Sequence, residues 1–309
     1  MWPDIPYEPW RETCEALHLY SQIVGKYRLA HTPWLNHSWH ATLYVGAQGL
    51  STGLIPDGPG GIEVTIDLSG HHIRGAAGDG RSASFRLEPM SVAEFHERFL
   101  ALIGFLGGTP KLDGRPNEVA EPIPFADDRE ARPYDARAVE RFLGALLASN
   151  RVLSLFRTGF LGKASPVHLF WGSFDLATTR FSGRRAPRHR GGIPALPDAV
   201  TREAYSHEVS SAGFWPGGGG IIDYPAFYSY AYPAPVGFAQ AQVEPDGAFF
   251  HDELGEFLLP YEAVRAAGDP QHALIRFLET TYEAAAELGA WDRDALECAL
   301  GEPLHPRPV

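Results

Sequence analysis

The chain has 309 residues, 44% of them hydrophobic and 21% charged, which is typical of a globular protein of one large domain or two ordinary ones. Its formal net charge of −12 argues against a nucleic-acid-binding protein and favours a small-molecule ligand or substrate. No stretch approaches the roughly 20 apolar residues that cross a bilayer, so no membrane partner is expected, and the oligomeric state stays open.

The first predicted elements are a long helix and an antiparallel sheet. Residues 9–30 place Trp10, Leu17 and Val24 at helical spacing, which predicts one continuous helix. Residues 39–86 then form short runs of β-forming residues separated by turn residues. This pattern is typical of a meander of about four strands.

Turn and cap residues mark the end of this first half. Asp79 and Gly80 suit a tight turn between the last two strands. Ser91 is expected to cap a second helix, which the glycines after residue 106 end. Residues 1–107 are therefore predicted to be one unit of helix, sheet and helix.

A proline-rich connector separates this unit from the second half of the chain. Residues 108–134 contain five prolines, a density incompatible with regular helix or a central strand. Residues 135–309 then repeat the order of helix, about four strands and C-terminal helices, with Asp135 and Asp269 as helix caps. The predicted fold class is α+β with antiparallel sheets, and the matching order raises the hypothesis of an internal repeat.

The second half contains an unusual predicted strand. The predicted strands cover residues 167–181, 205–215, 226–232 and 249–259, and residues 214–223 are glycine-rich, as in a turn or lid. In the first strand, His168, Asp175 and Arg180 interrupt an apolar run. A regular strand would put His168 and Arg180 on one face and Asp175 on the other, whereas a bulge at Gly172 would bring Asp175 towards His168.

Three histidines on different predicted strands form the leading candidate site. Neighbouring antiparallel strands bring side chains on one face within about 5 Å, so His168, His207 and His251 can bind one metal ion, Fe²⁺ or Zn²⁺. Without a metal, a histidine and a carboxylate can do general acid/base catalysis, and hydrogen bonding in the core is the structural alternative. The catalytic candidates near these histidines are Asp175, Arg180, Glu208 and Glu256.

Aromatic residues indicate how a ligand would be held. Tyr228 and Tyr230 share one face of their strand, and with Trp171 they can form the wall of a pocket, although ordinary strand packing is the alternative. His40, three residues after His37, can line the same pocket or anchor the end of a strand.

Two functions follow from these residues. The first is a cytoplasmic enzyme that acts on a small molecule, either as a metal-dependent oxidoreductase or hydrolase or without a metal. The second is a non-catalytic binding protein with an aromatic-walled pocket. The cytoplasm is expected because Cys14 and Cys298 lie too far apart in sequence to suggest a disulfide framework, and the first residues lack a signal-peptide pattern.

Four segments together form a specific sequence pattern. They read LHLYSQIVGKYRLA, SPVHLFWGSFDLATTRFSGR, REAYSHEVSSAGFWPGG and GEFLLPYEAVR. On these segments the chain resembles, over nearly its whole length, an uncharacterised bacterial family, domain of unknown function five-nine-nine-six. The resemblance implies no established activity. It implies that the family pattern includes counterparts of His40, His168, Asp175, Arg180, His207, Glu208, His251 and Glu256.

Overall fold

The computed structural model describes residues 2–218 and 222–307. Within these residues the fold class is α+β, as predicted, with two antiparallel sheets. The helices are α1 Arg11–His31, α2 Val92–Phe105, α3 Ala136–Thr158, α4 Asp198–Ala204, α5 Tyr261–Arg265, α6 Pro270–Leu288 and α7 Arg293–Leu296. The strands are β1 Tyr44–Gly46, β2 Gly49–Ile55, β3 Ile62–Asp67, β4 His72–Ala77, β5 Ser82–Arg86, β6 His168–Phe170, β7 Asp175–Arg185, β8 His207–Trp215, β9 Ala226–Tyr232, β10 Phe249–His251 and β11 Glu256–Pro260.

The first sheet is the predicted meander, with strands in the order β1-β2-β3-β4-β5. It has one strand more than expected, because the segment predicted as one strand at residues 39–50 turns back between β1 and β2. The predicted turn lies between β4 and β5, where Gly80 has a φ of 92°. Ser91 caps α2 as predicted, since its hydroxyl accepts a hydrogen bond from the backbone N–H of Glu94 at 3.1 Å.

The second sheet has the order β10-β11-β9-β8-β7-β6 and carries helices on one face. Helix α3 contacts β7 and β8, and α6 contacts β8 and β9. Both helices begin at their predicted caps, because Asp135 accepts a hydrogen bond from Ala138 N and Asp269 accepts one from His272 N. Loops, α4 and the end of α1 lie over the opposite face of this sheet.

The apolar run at residues 167–181 is a β-hairpin rather than the single strand that was predicted. Strands β6 and β7 pair antiparallel, with His168 opposite Ala177 and Phe170 opposite Asp175. Directly paired residues share a face of the sheet, so His168 and Asp175 lie on the same face and Arg180 lies on the other. The predicted strand at residues 249–259 is likewise a hairpin, formed by β10 and β11.

The connector at residues 108–134 contains no helix or strand, as predicted, but it packs against the rest of the protein. Gln22 of α1 bonds the backbone of Asn117 twice, accepting from its N–H at 2.8 Å and donating to its carbonyl at 2.9 Å. The main hydrophobic core includes side chains from both halves, such as Phe95 and Phe142. The two predicted units therefore share one core.

Two further sequence expectations concern single segments. The predicted glycine-rich turn or lid includes residues 219–221, which lie outside the described residues. Across the part of the chain that the structure describes, no helix is both long enough and apolar enough to cross a membrane.

Candidate functional site

A cavity of about 710 Å³ lies on the face of the second sheet away from α3 and α6. Asp175, Ala177 and Thr179, which alternate along β7, line this cavity. Leu176, between them, is fully buried in the core on the other face. Ligand sites usually measure roughly 300–1,000 Å³, so the cavity has the size of a small-molecule site.

Aromatic rings form much of the wall of the cavity. The wall includes the rings of Trp39, Phe170, Trp171, Trp215, Tyr228 and Tyr230. Trp171 is fixed on two sides, because it packs against Gly25 of α1 and its Nε1–H donates to the carbonyl of Ala41 at 2.7 Å. The predicted ligand-binding residues Trp171, Tyr228 and Tyr230 thus line the same cavity.

Asp175 lies at the base of the cavity and is held by two hydroxyl groups. The hydroxyls of Ser173 and Tyr228 donate hydrogen bonds to its two carboxylate oxygens. Asp175 is only 8% exposed, and this burial raises its pKa although both hydrogen bonds act in the opposite direction. Gly213 makes room for the phenol, since a methyl group there would lie 2.6 Å from the Tyr228 hydroxyl oxygen.

Glu118 enters the cavity from the connector. Its backbone N–H donates to the carbonyl of Pro194 at 3.0 Å, and its carboxyl lies directly over Gly172, where a methyl group would overlap it. The side chain has an exposed surface that lines the cavity, while protein surrounds the cavity on several sides. Burial, and then the negative charge of Asp175, raise the pKa of Glu118 to about 7.

Glu256 contributes a third carboxyl, from the start of β11. The register pairs it with His251 of β10, so the two side chains share the face of the sheet that lines the cavity. Burial is again the largest cause, and the charge of Asp175 the next, of a rise in the pKa of Glu256 to about 7. Glu118, Asp175 and Glu256 therefore belong to one electrostatically coupled group.

A pair of tyrosine hydroxyls and a lysine ammonium also belong to the lining. The hydroxyls of Tyr205 and Tyr230 lie 2.9 Å apart and share a hydrogen bond. The ammonium of Lys26 on α1 donates to Asp113 at 2.8 Å and also to the side-chain oxygen of Asn117. Burial lowers the pKa of Lys26, and its contact with Asp113 opposes that shift.

The structure does not bring His168, His207 and His251 together, so the predicted metal site is corrected. His168 and His251 lie on β6 and β10, the two edges of the sheet, which are roughly 24 Å apart at about 4.8 Å per strand. His207 begins β8, between those edges. Across residues 2–218 and 222–307, no group of three or more histidine, cysteine or acidic side chains is placed to hold a metal ion.

Each of these histidines has a local environment of its own. His168 is fully buried beside the hydroxyl of Thr42, and burial lowers its pKa to about 3. His207 is 6.2 Å from the ring of His37, measured between ring centres. The structural alternative, a neutral histidine in the core, therefore describes His168.

Two predicted catalytic residues, Arg180 and Glu208, lie on the face of the sheet away from the cavity. Arg180 is 4% exposed, donates to the carbonyl of Phe156, and has its guanidinium 4.3 Å from the centre of the Tyr282 ring. Glu208 accepts a hydrogen bond from Arg184 at 2.7 Å. Because the sheet lies between these side chains and the cavity, we correct both assignments to structural roles.

His40 lies behind the wall of the cavity rather than in it. Its Nδ1 accepts a hydrogen bond from the backbone N–H of Leu35 at 3.1 Å, and its ring is 4.6 Å from that of Trp34, which lines the cavity. His37 lines the cavity instead and lies 2.6 Å from the ammonium of Lys163. His40 thus anchors the segment before β1, which was the structural alternative.

Comparison with known proteins identifies the family but no activity. The model of a family of unknown function, DUF5996, matches residues 2–298. The chain belongs to DUF5996. No curated protein and no solved structure matches this DUF5996 member. The cavity therefore has to be interpreted from its own geometry.

Sequence reasoning missed several residues of the cavity in this DUF5996 chain, among them Glu118, Tyr205 and Lys26. Glu118 follows Pro116 in a segment that reads as a connector, and nothing in the sequence distinguishes it from Glu121 nearby. The signal available was that loops held by a rigid scaffold often carry functional residues.

Proposed function

We propose that this protein is an enzyme that binds a small organic molecule in the cavity and transfers protons with Glu118 and Glu256. The observation that carries the proposal is a pair of carboxyls with a pKa of about 7 in one ring-walled cavity. Such a carboxyl is about half protonated at neutral pH, so it can either donate or accept a proton. Carboxyls perturbed in this way are concentrated in functional sites.

Asp175 supplies a charge that acts on both glutamates. The hydroxyls of Tyr228 and Ser173 hold it in place, and its negative charge disfavours ionisation of both Glu118 and Glu256. With a pKa of about 7, each glutamate is present in both its protonated and its ionised form at neutral pH, so either can serve as the acid and the other as the base. The aromatic walls would hold the apolar part of the substrate.

We place this activity in the cytoplasm, as the sequence suggested. Cys14 and Cys298 support that location, because both are free thiols in the structure.

The proposal can be tested by incubating the purified protein with a metabolite extract and identifying consumed and formed compounds by mass spectrometry. We expect conversion of at least one compound by the wild type and loss of that conversion in Glu118→Gln and in Glu256→Gln. The matched control is Glu208→Gln, which changes a carboxylate on the other face of the same sheet. Conversion that persists in both cavity variants rejects the proton-transfer roles.

Binding without catalysis is the second candidate function. It is favoured by the fact that neither carboxyl of Glu118 or Glu256 accepts a hydrogen bond from any described residue, whereas catalytic groups are usually held by such bonds. In the same experiment, a compound that co-purifies with the protein and stays chemically unchanged indicates a binding protein.

A further inference from the structure

We infer that the molecule bound in this cavity is an organic cation, either a protonated amine or a quaternary ammonium ion with an apolar part. The inference rests on the proposed function and names the ligand class of the same site. Three observations carry it: the excess of acidic over basic groups in the lining, the aromatic residues that line the cavity, and the carboxyls that have no partner among the described residues.

Acidic side chains outnumber basic ones in the lining of the cavity. Among the described lining residues the acidic side chains are Asp113, Glu118, Asp175 and Glu256, and Lys26 is the one lysine or arginine. Lys26 is already paired with Asp113 at 2.8 Å. The three other carboxyls have no cationic partner within ion-pair distance among the described residues. A bound cation would offset this repulsion, whereas a bound anion would add to it.

The arginine-rich stretch at residues 183–192 does not change this balance. None of its arginines lines the cavity, and Arg184 is paired with Glu208 on the other face of the sheet. An anionic ligand would therefore find no guanidinium in the described lining.

The aromatic wall has ring faces suited to a cation. Ammonium groups of this protein already lie over two of the lining rings, Lys26 over Trp171 at 5.5 Å and Lys163 over Trp39 at 5.2 Å from the ring centre. Tyr228 and Tyr230 stack at 6.1 Å and, within the described residues, have no lysine or arginine over their rings. Both residues line the cavity, so a bound cation can make a cation–π contact with them.

The unpartnered acceptors lie beside these rings. Glu118 and Glu256 line the cavity, and their carboxyl oxygens accept no hydrogen bond from the residues that the structure describes. Each oxygen is therefore an open acceptor for an N–H group or an ammonium charge of a ligand in the cavity. Asp175 differs, because Ser173 and Tyr228 already donate to it.

The charge of the ligand can be tested with three probes that share one skeleton: benzylamine, benzyl alcohol and benzoate. Binding is measured by isothermal titration calorimetry on the full-length protein at neutral pH. We expect benzylamine to bind about tenfold more tightly than benzyl alcohol, since one charge-assisted contact is worth about 1.4 kcal/mol. Benzoate is expected to bind more weakly than both.

Variants of the cavity carboxyls test whether the preference for a cation arises in the cavity. Glu118→Gln and Glu256→Gln are each expected to weaken benzylamine binding about tenfold and to leave benzyl alcohol binding unchanged, while Glu208→Gln alters neither. Circular dichroism of each variant confirms that it is folded.

Three results would overturn the inference. They are equal or tighter binding of the alcohol or of benzoate, no binding of benzylamine, and a benzylamine affinity that is unaffected by both cavity variants. The first of them leaves the proposed enzyme intact with a neutral or anionic substrate. The proposed enzyme itself fails only in the separate conversion experiment, so the two failures are distinguishable.

Discussion

The hydroxyl of Tyr228 on β9 donates a hydrogen bond to Asp175 on β7 across the whole width of β8. The phenol can do so because it passes over Gly213, the residue of β8 that pairs with Tyr228 on one side and with Ala177 on the other. A cross-strand contact that skips a strand requires a residue without a side chain at the middle position. This contact fixes the carboxyl that influences Glu118 and Glu256.

Removing the Tyr228 hydroxyl should lower the stability of the protein but leave it folded. Tyr228→Phe keeps the ring and deletes the hydroxyl, so Asp175 retains only the hydrogen bond from Ser173. We expect the free energy of unfolding, measured in urea, to fall by about 1–2 kcal/mol. Tyr232→Phe is the control, because that hydroxyl bonds the carbonyl of Pro187 at the surface. An equal loss in both variants would contradict a special role for the Tyr228 contact.

A methyl group at Gly213 should destabilise the protein more than its small size suggests. It would lie 2.6 Å from the Tyr228 hydroxyl oxygen and would also overlap the carbonyl of Leu176 in the backbone of β7. We expect Gly213→Ala to lower the free energy of unfolding by about 1–3 kcal/mol and to weaken benzylamine binding.

Gly104 in α2 provides the matched control for this substitution. Nothing lies within 4 Å of a methyl group built there. Gly104→Ala should therefore stabilise the protein by about 0.5–1 kcal/mol, because alanine is the better helix former. Gly213→Ala with wild-type stability would show that Tyr228 does not need the space above β8.

The carboxyls of Glu118 and Glu256 should make the folded protein less stable as the pH rises. Their pKa is about 7 in the folded protein, compared with about 4.3 for a glutamate in an unfolded chain. The protonated forms therefore contribute a stability that is complete below about pH 4 and is lost as the pH rises through about 7.

Urea unfolding at a series of pH values measures this dependence. We expect a fall in the free energy of unfolding between about pH 5 and about pH 8, and a smaller fall in the Glu118→Gln/Glu256→Gln double variant. The Glu208→Gln variant should follow the wild type. Superimposable curves for the wild type and the double variant would show that neither glutamate has a raised pKa.

Arg180 should matter for stability and not for the cavity. Its buried guanidinium packs against the rings of Phe156 and Tyr282, and burial lowers its pKa to about 10. Arg180→Ala is expected to lower the free energy of unfolding by about 2–4 kcal/mol, because it leaves a cavity in the core. Arg180→Met fills more of that space than alanine does, so it should lower the free energy of unfolding by less. Benzylamine affinity should stay unchanged in both variants. A tenfold loss of that affinity would show that Arg180 contributes to ligand binding.

Features of the fold that depend on neighbouring residues could be predicted from the sequence. Ser91, Asp135 and Asp269 cap helices where the sequence predicted them, because capping depends only on a short side chain and the next backbone N–H groups. The alternation of Tyr228 and Tyr230 likewise put both phenols on one face, since side-chain direction in a strand follows directly from chain geometry.

The hairpin at residues 167–181 could not be predicted in the same way. Its turn carries the bulky residues Trp171 and Phe174, which read as part of a strand and are buried only because α1 and α3 pack over them. Reading the hairpin as one strand put Asp175 and His168 on opposite faces. The reversal of the chain put them on the same face and moved Arg180 away from both.

The composition of the cavity was decided by the tertiary structure alone. Glu118, Asp175 and Glu256 come from a connector and two strands that are far apart in sequence, and the order of strands in the sheet separates the histidines that the sequence had grouped. The sequence by itself determined the long helices, their caps and most of the β-forming segments, because those properties depend on neighbouring residues. Which carboxyls share one cavity, and so whether Asp175 raises the pKa of Glu118 and Glu256, depends on distances through space that only the packed fold creates.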